Sequence, residues 1–369
     1  MWGWGCDLQA PWAFVVARWW AMRYIGVACR MEAVWKVLGL VLTEALRRMP
    51  TATEKSSGKK PRAPKAGKSP IVVERDGCSA NAYVGDCREI LPGLEAVAKS
   101  QVSLVFADPP FNWNRAYDRW DDKMPEREYI DFTYAWINLC VRALKPGGSL
   151  WINIPDDWAA EITAFLKGRF EGTPGVPALA AAMHMENWCV WHYRFGQNTT
   201  KRFINSKVHA LHFVKAGGEP TWNAHEVLEQ SDRAAIYDDP RTKSKKDGMP
   251  PGLRVPMDVW YGQFWGRVQG NNKERRGYHD NQLPEVYLER VIRACSNEGD
   301  LVLDPFLGSG TTGVVALALK RNFIGTEFSE ENAKSACERI KIGPYRVMGE
   351  ARGTSSAIFE HRRKSERTG

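Results

Sequence analysis

The most constraining feature of the sequence is the apolar run Val102 to Ala107 (VSLVFA), which ends abruptly at Asp108. Such a run is typical of a strand buried on both faces, as in parallel sheets covered by helices. Other strand-like runs alternate with segments in which apolar residues recur at helical spacing. The predicted strands are 71–74, 82–85, 102–107, 149–154, 189–193, 210–214, 300–304 and 322–327, and the predicted helices are 129–144, 158–167, 284–295, 311–320 and 329–341. This alternation predicts an α/β fold with a mainly parallel sheet.

The charge of the chain is distributed unevenly. Its 369 residues are 44% hydrophobic and 25% charged, which is ordinary for a globular protein and predicts a packed core. The net charge of +8 is carried by residues 1–70, which hold 12 Lys and Arg against 4 Asp and Glu. Because the rest of the chain is neutral overall, a nucleic-acid role has to be argued from local patches.

Residues 1–70 form an N-terminal extension of unusual composition. Six of the 16 tryptophans lie in its first 35 residues, and residues 51–70 are rich in Lys, Pro, Ser and Gly, as in disordered linkers. We expect the extension to be disordered, or to reflect a mis-assigned start with translation beginning at Met49. The rival interpretation is a membrane-surface anchor built from Trp and Arg. A membrane-spanning helix is not expected, because Arg18 and Arg23 interrupt the apolar stretch.

The eight cysteines are scattered and form no Cys-x-x-Cys pair. This spacing argues against a zinc ribbon and against a secreted disulfide scaffold. Scattered thiols that pack as small apolar residues fit a reducing compartment. We therefore expect a cytoplasmic protein without a structural metal.

A glycine-rich loop, 304–313 (DPFLGSGTTG), lies between a predicted strand and a predicted helix. Small residues there let a ligand approach the free backbone N–H groups of the helix N-terminus. The glycines fit G-x-G-x-x-G, and Glu327 ends the next strand, where it is placed to bind ribose hydroxyls. Three residues separate Asp304 from the first glycine and the loop lies late in the chain, which argues against a nicotinamide cofactor. No Lys follows the last glycine, so the loop is not a Walker A motif.

The tetrapeptide Asp108-Pro109-Pro110-Phe111 follows the strongest predicted strand. Proline cannot continue a central ladder, so the chain must leave the sheet at its carboxyl edge, where parallel α/β sheets bind ligands. A carboxylate and the Pro109 carbonyl can accept the two hydrogens of an exocyclic amine, and Phe111 can stack on the base that carries it. The tetrapeptide therefore predicts a site for a flipped base.

Together these motifs resemble the amino-group DNA methyltransferases that use S-adenosylmethionine. The DPPF motif precedes the DPFLGSGTT loop by 196 residues, an order that resembles the β group of that family. The resemblance covers about residues 80–341 and includes segments 84–87 (VGDC), 144–153 (LKPGGSLWIN), 202–205 (RFIN), 209–215 (HALHFVK) and 273–285. It implies a Rossmann-like methyltransferase domain over 71–342, with a target-recognition insert at 216–277. The tail 343–369 is rich in Arg and Lys, and its composition and terminal position predict that it is mobile.

The resemblance also implies a cofactor site. The glycine loop would line the methionine end of S-adenosylmethionine, with Asp304 near its ammonium group. Glu327 would bind the ribose, Asp86 and Cys87 would lie near the adenine ring, and residues 282–285 would open the helix that closes the pocket. The predicted cofactor residues are Asp86, Cys87, Asp304, Phe306, Gly308, Ser309, Gly310, Thr311 and Glu327.

Basic residues of the insert are candidates for phosphate or base contacts. These are Lys243, Lys245, Lys246, Arg254, Arg267, Arg275 and Arg276. We expect fewer than half of them to contact DNA and the others to be solvated.

Asp at the first motif position resembles adenine-N6 enzymes more than cytosine-N4 enzymes. We therefore predict a site-specific enzyme that flips an adenine out of duplex DNA and methylates N6 without a metal. Both amines suit the site chemically, so a cytosine-N4 enzyme stays as the alternative. Further alternatives are an RNA or protein-amide methyltransferase, a nicotinamide oxidoreductase and an inactive DNA-binding homologue. A homodimer and a cognate restriction endonuclease stay open as partners, and the expected location is the cytoplasm, in association with the nucleoid.

Overall fold

The computed structural model describes residues 69–115, 120, 122–169, 178–193, 196–244, 248–262, 264–270, 272–275 and 281–349. The N-terminal extension up to residue 68, with the predicted start at Met49, lies outside the described residues, as does the tail from residue 350. The interpretations given for those two segments therefore stay predictions.

Strands and helices alternate along the described chain, as predicted. The strands are β1 Ile71–Arg75, β2 Cys78–Val84, β3 Val102–Ala107, β4 Leu144–Ile154, β5 Met183–His192, β6 Lys207–Lys215, β7 Glu229–Gln230, β8 Leu253–Arg254, β9 Val259–Trp260, β10 Leu301–Asp304 and β11 Asn322–Glu327. The helices are α1 Cys87–Ile90, α2 Glu95–Ala98, α3 Glu126–Ala143, α4 Asp156–Leu166, α5 Asp232–Ala235, α6 Glu285–Cys295, α7 Thr311–Ala318 and α8 Glu330–Ile342. In the ranges that the structure describes, no helix combines the length and apolarity that a membrane crossing requires.

One large sheet organises these elements, in the order β1-β2-β11-β10-β3-β4-β6-β5-β9. The strands from β2 to β4 in this order are mutually parallel, whereas β6 is antiparallel to both β4 and β5. The predicted α/β fold with a mainly parallel sheet is therefore confirmed.

The uniform apolar character of β3 has a direct structural cause. Leu104 and Phe106 point into a core layer that also contains α6, α7 and α8, whereas Val105 and Ala107 point into a layer that contains α3 and α4. Because helices cover both faces of the sheet, the side chains that point to either face must be apolar.

Strand order brings the two predicted motifs to one place. Strands β3 and β10 are parallel neighbours, with Leu104 opposite Val302 and Val105 opposite Leu303. The DPPF tetrapeptide follows β3 and the glycine loop follows β10. Both motifs therefore leave the sheet side by side at its carboxyl edge.

Some boundaries differ from the predictions. The Lys-Pro-Gly-Gly stretch 145–148 ends α3 as predicted, but it belongs to β4, which begins at Leu144 instead of Ser149. The pairing of β3 with β4 shifts register between Val102 and Leu104, so the extra residues are accommodated as an irregularity. Gly147, with φ of 76°, adopts a left-handed conformation that suits glycine.

The segment predicted to be a recognition insert is not uniform. Strand β9 pairs with β5 in the main sheet, and Trp260 and Trp265 are buried in the core. Strands β7 and β8 pair only with each other. The later part of the 216–277 stretch thus belongs to the core that supports the cavity.

The first residues of the predicted mobile tail are bound to the domain. Tyr345 and Arg346 donate their backbone N–H groups to the carboxylate of Glu285 at 3.1 and 3.0 Å. Gly349 donates its backbone N–H to Glu289 at 2.6 Å. Both acceptors lie on α6, so the chain after α8 packs along that helix at least as far as residue 349.

Candidate active site

A single cavity at the carboxyl edge contains both motifs. It encloses about 1320 Å³ of empty space, including space open to solvent. Asp108 and Phe111 line one part, whereas Asp304, Gly308 and Glu327 line another. The two chemistries inferred from the sequence therefore share one continuous space.

Asp108 is held on one side only. Asn153, near the end of β4, donates its amide Nδ2–H to Asp108 Oδ1 at 2.7 Å. Within the described chain no other side chain hydrogen-bonds to this carboxylate. The pKa of Asp108 is raised to about 7, chiefly by burial and also by the neighbouring charge of Asp304, while the Asn153 hydrogen bond and Arg267 lower it. One carboxylate oxygen is thus left to face the cavity.

The orientation of Asn153 is fixed in turn by Tyr287 on α6. The Tyr287 hydroxyl donates to Asn153 Oδ1 at 3.3 Å, which leaves the amide N–H group directed at Asp108. Tyr287 is fully buried, and burial raises the pKa of its phenol, so the hydroxyl stays a donor. Sequence reasoning missed both residues as parts of the site, although Asn153 is the first polar side chain after the apolar run of β4.

Only some backbone carbonyls of the DPPF turn accept hydrogen bonds from the described residues. Tyr129 donates its hydroxyl to the Pro110 carbonyl at 2.8 Å, and Trp158 donates its indole N–H to the Phe111 carbonyl at 2.9 Å. The Pro109 carbonyl accepts no hydrogen bond from the described residues. The turn is therefore held rigidly by its later residues, while Asp108 and the Pro109 carbonyl remain as acceptors.

Asp304, in contrast, has both oxygens engaged within its own loop. Its Oδ1 accepts the Phe306 backbone N–H at 2.8 Å, and its Oδ2 accepts the Thr312 hydroxyl at 2.6 Å. Burial raises the pKa of Asp304 to about 7. The loop around Asp304 is shaped by Gly308 and Gly310, whose φ values of 48° and 76° are left-handed.

The third glycine of the loop has a packing role. A Cβ atom on Gly313 would lie 2.6 Å from Ile340 Cδ1 and 2.9 Å from Phe323 Cε1. Helix α7 therefore packs tightly against β11 and α8 at this point. This accounts for Gly313 without a ligand contact.

Glu327, the last residue of β11, is hydrogen-bonded to the glycine loop. Its Oε2 accepts the Gly308 backbone N–H at 2.9 Å, and its Oε1 accepts the Ser329 N–H at 3.0 Å. Burial raises its pKa. In the part of the chain that the structure describes, neither Asp304 nor Glu327 has a Lys or Arg salt-bridge partner, so both carboxylates are unpaired in the cavity.

Ser309 and Thr311 line the cavity but are tied to a buried ion pair behind it. Arg339 on α8 donates to the Ser309 carbonyl at 3.1 Å and to Thr311 Oγ1 at 2.7 Å. Its other nitrogen pairs with Glu285 at 3.1 Å, and both side chains are almost fully buried. These contacts fix the glycine loop from behind. The helical pattern of α8 gave no sign that Arg339 points inward.

The remaining predicted cofactor residues follow β2, the neighbour of β11, where the Gly85 N–H donates to the Glu327 carbonyl at 2.8 Å. Asp86 caps α1 by accepting the Arg88 N–H at 2.8 Å, and it pairs with the Arg88 guanidinium at 2.6 Å. Cys87 is buried, and burial raises the pKa of its thiol, so it contributes a neutral packing surface. Aromatic side chains that sequence reasoning did not single out complete this wall: Trp120, Phe132 and Phe328.

The donor set fits S-adenosylmethionine. Its ammonium group needs a carboxylate without a counter-ion, which Asp304 provides, and its ribose hydroxyls need acceptors such as Glu327. Phe306, which contacts Trp136 edge-on at a centroid distance of 5.1 Å, supplies an apolar surface between them. All nine predicted cofactor residues lie on this cavity or, for Gly310, in the loop that forms its wall.

The predicted DNA-contact residues are dispersed. Arg267 lines the cavity, with its guanidinium 4.1 Å from the centre of the Tyr193 ring. Arg254 pairs with Glu229 at 3.4 Å and Asp232 at 3.0 Å. Lys243 is exposed and lies 3.1 Å from Asp238, and Arg275 is described but does not line the cavity. Lys245, Lys246 and Arg276 lie outside the described residues.

Comparison with known proteins agrees with this geometry. The family model for N6/N4 methyltransferases (N6_N4_Mtase, DNA methylase) matches residues 102–338. The chain is 32% identical over 289 residues to the type II methyltransferase M.BamHI of Bacillus amyloliquefaciens, an alignment that covers 77% of this chain and 63% of that protein. It is 31% identical over 284 residues to the DNA adenine methyltransferase YhdJ of Escherichia coli K12, covering 73% of this chain and 88% of the relative.

Among solved structures, the cytosine-N4-specific PvuII DNA methyltransferase has the same fold. It matches with a TM-score of 0.51 at 17% identity, over 73% of this chain and 88% of its own. The family match covers well over half of the chain and includes both motifs. The chain therefore belongs to the N6/N4 amino-group family of DNA methyltransferases.

Proposed function

We propose that this protein transfers a methyl group from S-adenosylmethionine to N6 of an adenine flipped out of duplex DNA. The observation that carries the proposal is the open side of Asp108. One carboxylate oxygen is fixed by Asn153, while the other, together with the Pro109 carbonyl, is available in the cavity. These are the two acceptors that an exocyclic amine requires.

Asp108 and Pro109 act on the amine by accepting its two hydrogens. The nitrogen lone pair of an aromatic amine is delocalised into the ring, so the free base is a poor nucleophile. Acceptors placed out of the ring plane favour a pyramidal nitrogen, whose lone pair is directed at the methyl donor. Phe111, which contacts Trp113 edge-on at 5.2 Å, provides a face on which the base stacks.

The methyl donor supplies an electrophilic carbon on a sulfonium, which leaves as a neutral thioether without metal assistance. Asp304 holds the ammonium group and Glu327 the ribose hydroxyls, with Asp86 and Cys87 beside the adenine ring. One N–C bond forms as one S–C bond breaks, and the amine releases a proton. Of the two acceptors, Asp108 is the one that can take up that proton, and a pKa of about 7 suits a group that must be ionised before transfer and protonated after it.

Adenine is the proposed target because Asp occupies the first position of the motif and because a relative named as a DNA adenine methyltransferase aligns over 88% of its length. Cytosine N4 is the alternative, because its amine presents the same two hydrogens. The cytosine-N4-specific PvuII enzyme has the same fold, which supports keeping this alternative.

Single-molecule sequencing of DNA from cells that express the full chain tests the proposal. We expect N6-methyladenine at one short sequence motif, and no such mark in cells expressing Asp108→Ala at the same level. N4-methylcytosine in place of N6-methyladenine would retain the chemistry and overturn the base. No mark with either protein would contradict DNA methylation.

The names of the type II relatives suggest a modification role, so the proposal includes a cognate restriction endonuclease of the same site specificity. Genomic DNA methylated by this chain should then resist that nuclease. A homodimer on DNA is also included. Sedimentation of the protein with a duplex carrying its site distinguishes one bound chain from two.

A further inference from the structure

The connection between β5 and β6 rises from the rim of the cavity. The strands on either side of it contribute Trp191 and Val208 to the cavity lining. At the base of the connection, the Tyr193 backbone N–H donates to the Ser206 carbonyl at 3.0 Å. The loop therefore starts and ends beside the space in which a target base would be held.

This loop has a narrow neck. A Cβ atom on Gly196 would lie 2.3 Å from both the Asn205 carbonyl oxygen and Ile204 Cγ2, so the two arms of the loop touch. Between these arms, residues 197–204 are all exposed except the half-buried Thr199. The closed neck makes the loop a defined protrusion at the rim.

An apolar ring lies on this protrusion and is covered by nothing in the described chain. Phe203 is 97% exposed, more than any other large hydrophobic residue described. Lys201 and Arg202 precede it, both are exposed, and neither pairs with an acidic side chain among the described residues. A phenyl ring in water beside two unpaired cations matches a surface that presents phosphates around an apolar interior, which is the chemistry of stacked duplex DNA.

We propose that Phe203 is a wedge that enters the base stack at the position that the target base leaves, while Lys201 and Arg202 hold the adjacent phosphates. The inference rests on the proposed function, because a wedge is needed only if a base is flipped. Extruding a base exposes the faces of its two neighbours, and an inserted phenyl ring covers them again. Phe203 would thus stabilise the flipped state without touching the reacting atoms.

The test compares two duplexes that carry the sequence found methylated in cells. In one the target base is paired, and in the other an abasic site lies opposite it, so that extrusion is already easy. For Phe203→Ala we expect kcat/KM to fall about 10- to 100-fold on the paired duplex, which is the effect of losing one stacking contact. On the abasic duplex, the variant should remain within about threefold of wild type.

Ile342→Ala is the matched control. Ile342 is 74% exposed and ends α8, ten residues along the helix from the cavity-lining Asn332. The substitution therefore removes an exposed apolar side chain at a position away from the rim of the cavity. It should leave both rates unchanged, and Phe203→Trp should retain most of the activity on the paired duplex.

An equal loss of kcat/KM on both duplexes would overturn the proposal and indicate that Phe203 is a general DNA-docking contact. No loss on either duplex would overturn it as well. Unchanged affinity for S-adenosylmethionine in Phe203→Ala checks that the variant is folded. If wild-type protein methylates neither duplex, the proposed function itself fails, and the wedge fails with it.

Discussion

Two turns of nearly the same sequence stand side by side at the edge of the sheet, and they are built differently. Each begins with Asp-Pro at the end of a buried parallel strand, and burial raises the pKa of each aspartate to about 7. Asp304 has both oxygens satisfied inside its own loop, by Phe306 and Thr312. Asp108 accepts one bond, from Asn153 on the neighbouring strand.

Under the proposed function, the difference distinguishes a carboxylate that binds the cofactor from one that takes part in the reaction. A group whose hydrogen bonds are complete is fixed in position and acts through its charge, as suits a constant ligand such as an ammonium ion. A group with an open oxygen can exchange partners and protons as the reaction proceeds. Under that proposal, the same Asp-Pro start serves two functions, depending on which residues are brought to it from elsewhere in the chain.

The largest expected effect concerns the support of the glycine loop. Arg339→Met leaves the buried Glu285 without its ion-pair partner. We therefore expect the free energy of unfolding, measured in urea, to fall by about 3–5 kcal/mol. Lys334→Met is the matched control on the same helix, because Lys334 forms an exposed pair with Glu330 at 3.0 Å. It should cost less than about 1 kcal/mol. Equal losses in the two variants would show that the loop does not depend on the buried pair.

The next effect concerns the binding carboxylate. Asp304→Asn keeps the shape but removes the charge and one acceptor, so the Kd for S-adenosylmethionine should rise about 10- to 100-fold, as expected for a charged hydrogen bond. Calorimetric titration measures it. Asp300→Asn, just before the start of the same strand and paired with Lys145 at 3.3 Å, should bind normally. Normal binding by Asp304→Asn would remove the proposed distinction between the two turns.

The pH dependence of kcat/KM should report the ionisation of Asp108, the carboxylate proposed to react. Asp108 must be ionised to accept the amine hydrogens, so kcat/KM should fall as the pH drops below about 7, where the carboxylate takes up a proton. Asn153→Ala removes a donor that favours the ionised form, while Asp304 and Arg267 stay in place. The pKa then rises, and the acidic limb should move up by about one pH unit. A limb that stays in place would show that Asp108 does not control the profile.

The smallest effect concerns Tyr287, which acts on Asp108 only through Asn153. Tyr287→Phe keeps the ring packing and removes the hydroxyl that orients the amide. We expect the acidic limb to move in the same direction by less than about half a pH unit. Combining Tyr287→Phe with Asn153→Ala should add nothing further, since the second change removes the group through which the first acts. If the shifts of the two single variants add fully in the double variant, Tyr287 does not act on Asp108 through Asn153.

Much of this architecture could be predicted from the sequence because its signals are local. The buried strands are apolar runs, and Asp108, Asp304 and Glu327 each stand at or just beyond a strand end. Parallel pairing then brings these ends together without further information.

The missed residues lie far from their partners along the chain. Asn153 and Tyr287 are separated by 134 positions; Asn153 ends the family-like segment 144–153, but nothing in that segment pairs it with Tyr287, which lies outside every motif. Arg254 illustrates the converse problem, because a cation in a polar stretch resembles a phosphate contact, while its guanidinium is paired with Glu229 and Asp232. Whether a charge is free or paired depends on the tertiary fold, which local sequence does not encode.

One measurement tests the separation of roles most directly: Asp108→Ala, examined for S-adenosylmethionine affinity and for single-turnover methyl transfer to duplex DNA in the same preparation. We predict a Kd within about threefold of wild type and a transfer rate at least about 10³-fold lower, the range expected for a group that handles the transferred proton. A Kd that weakens in parallel with the rate would place Asp108 in cofactor binding. Retained transfer would contradict its role in the reaction.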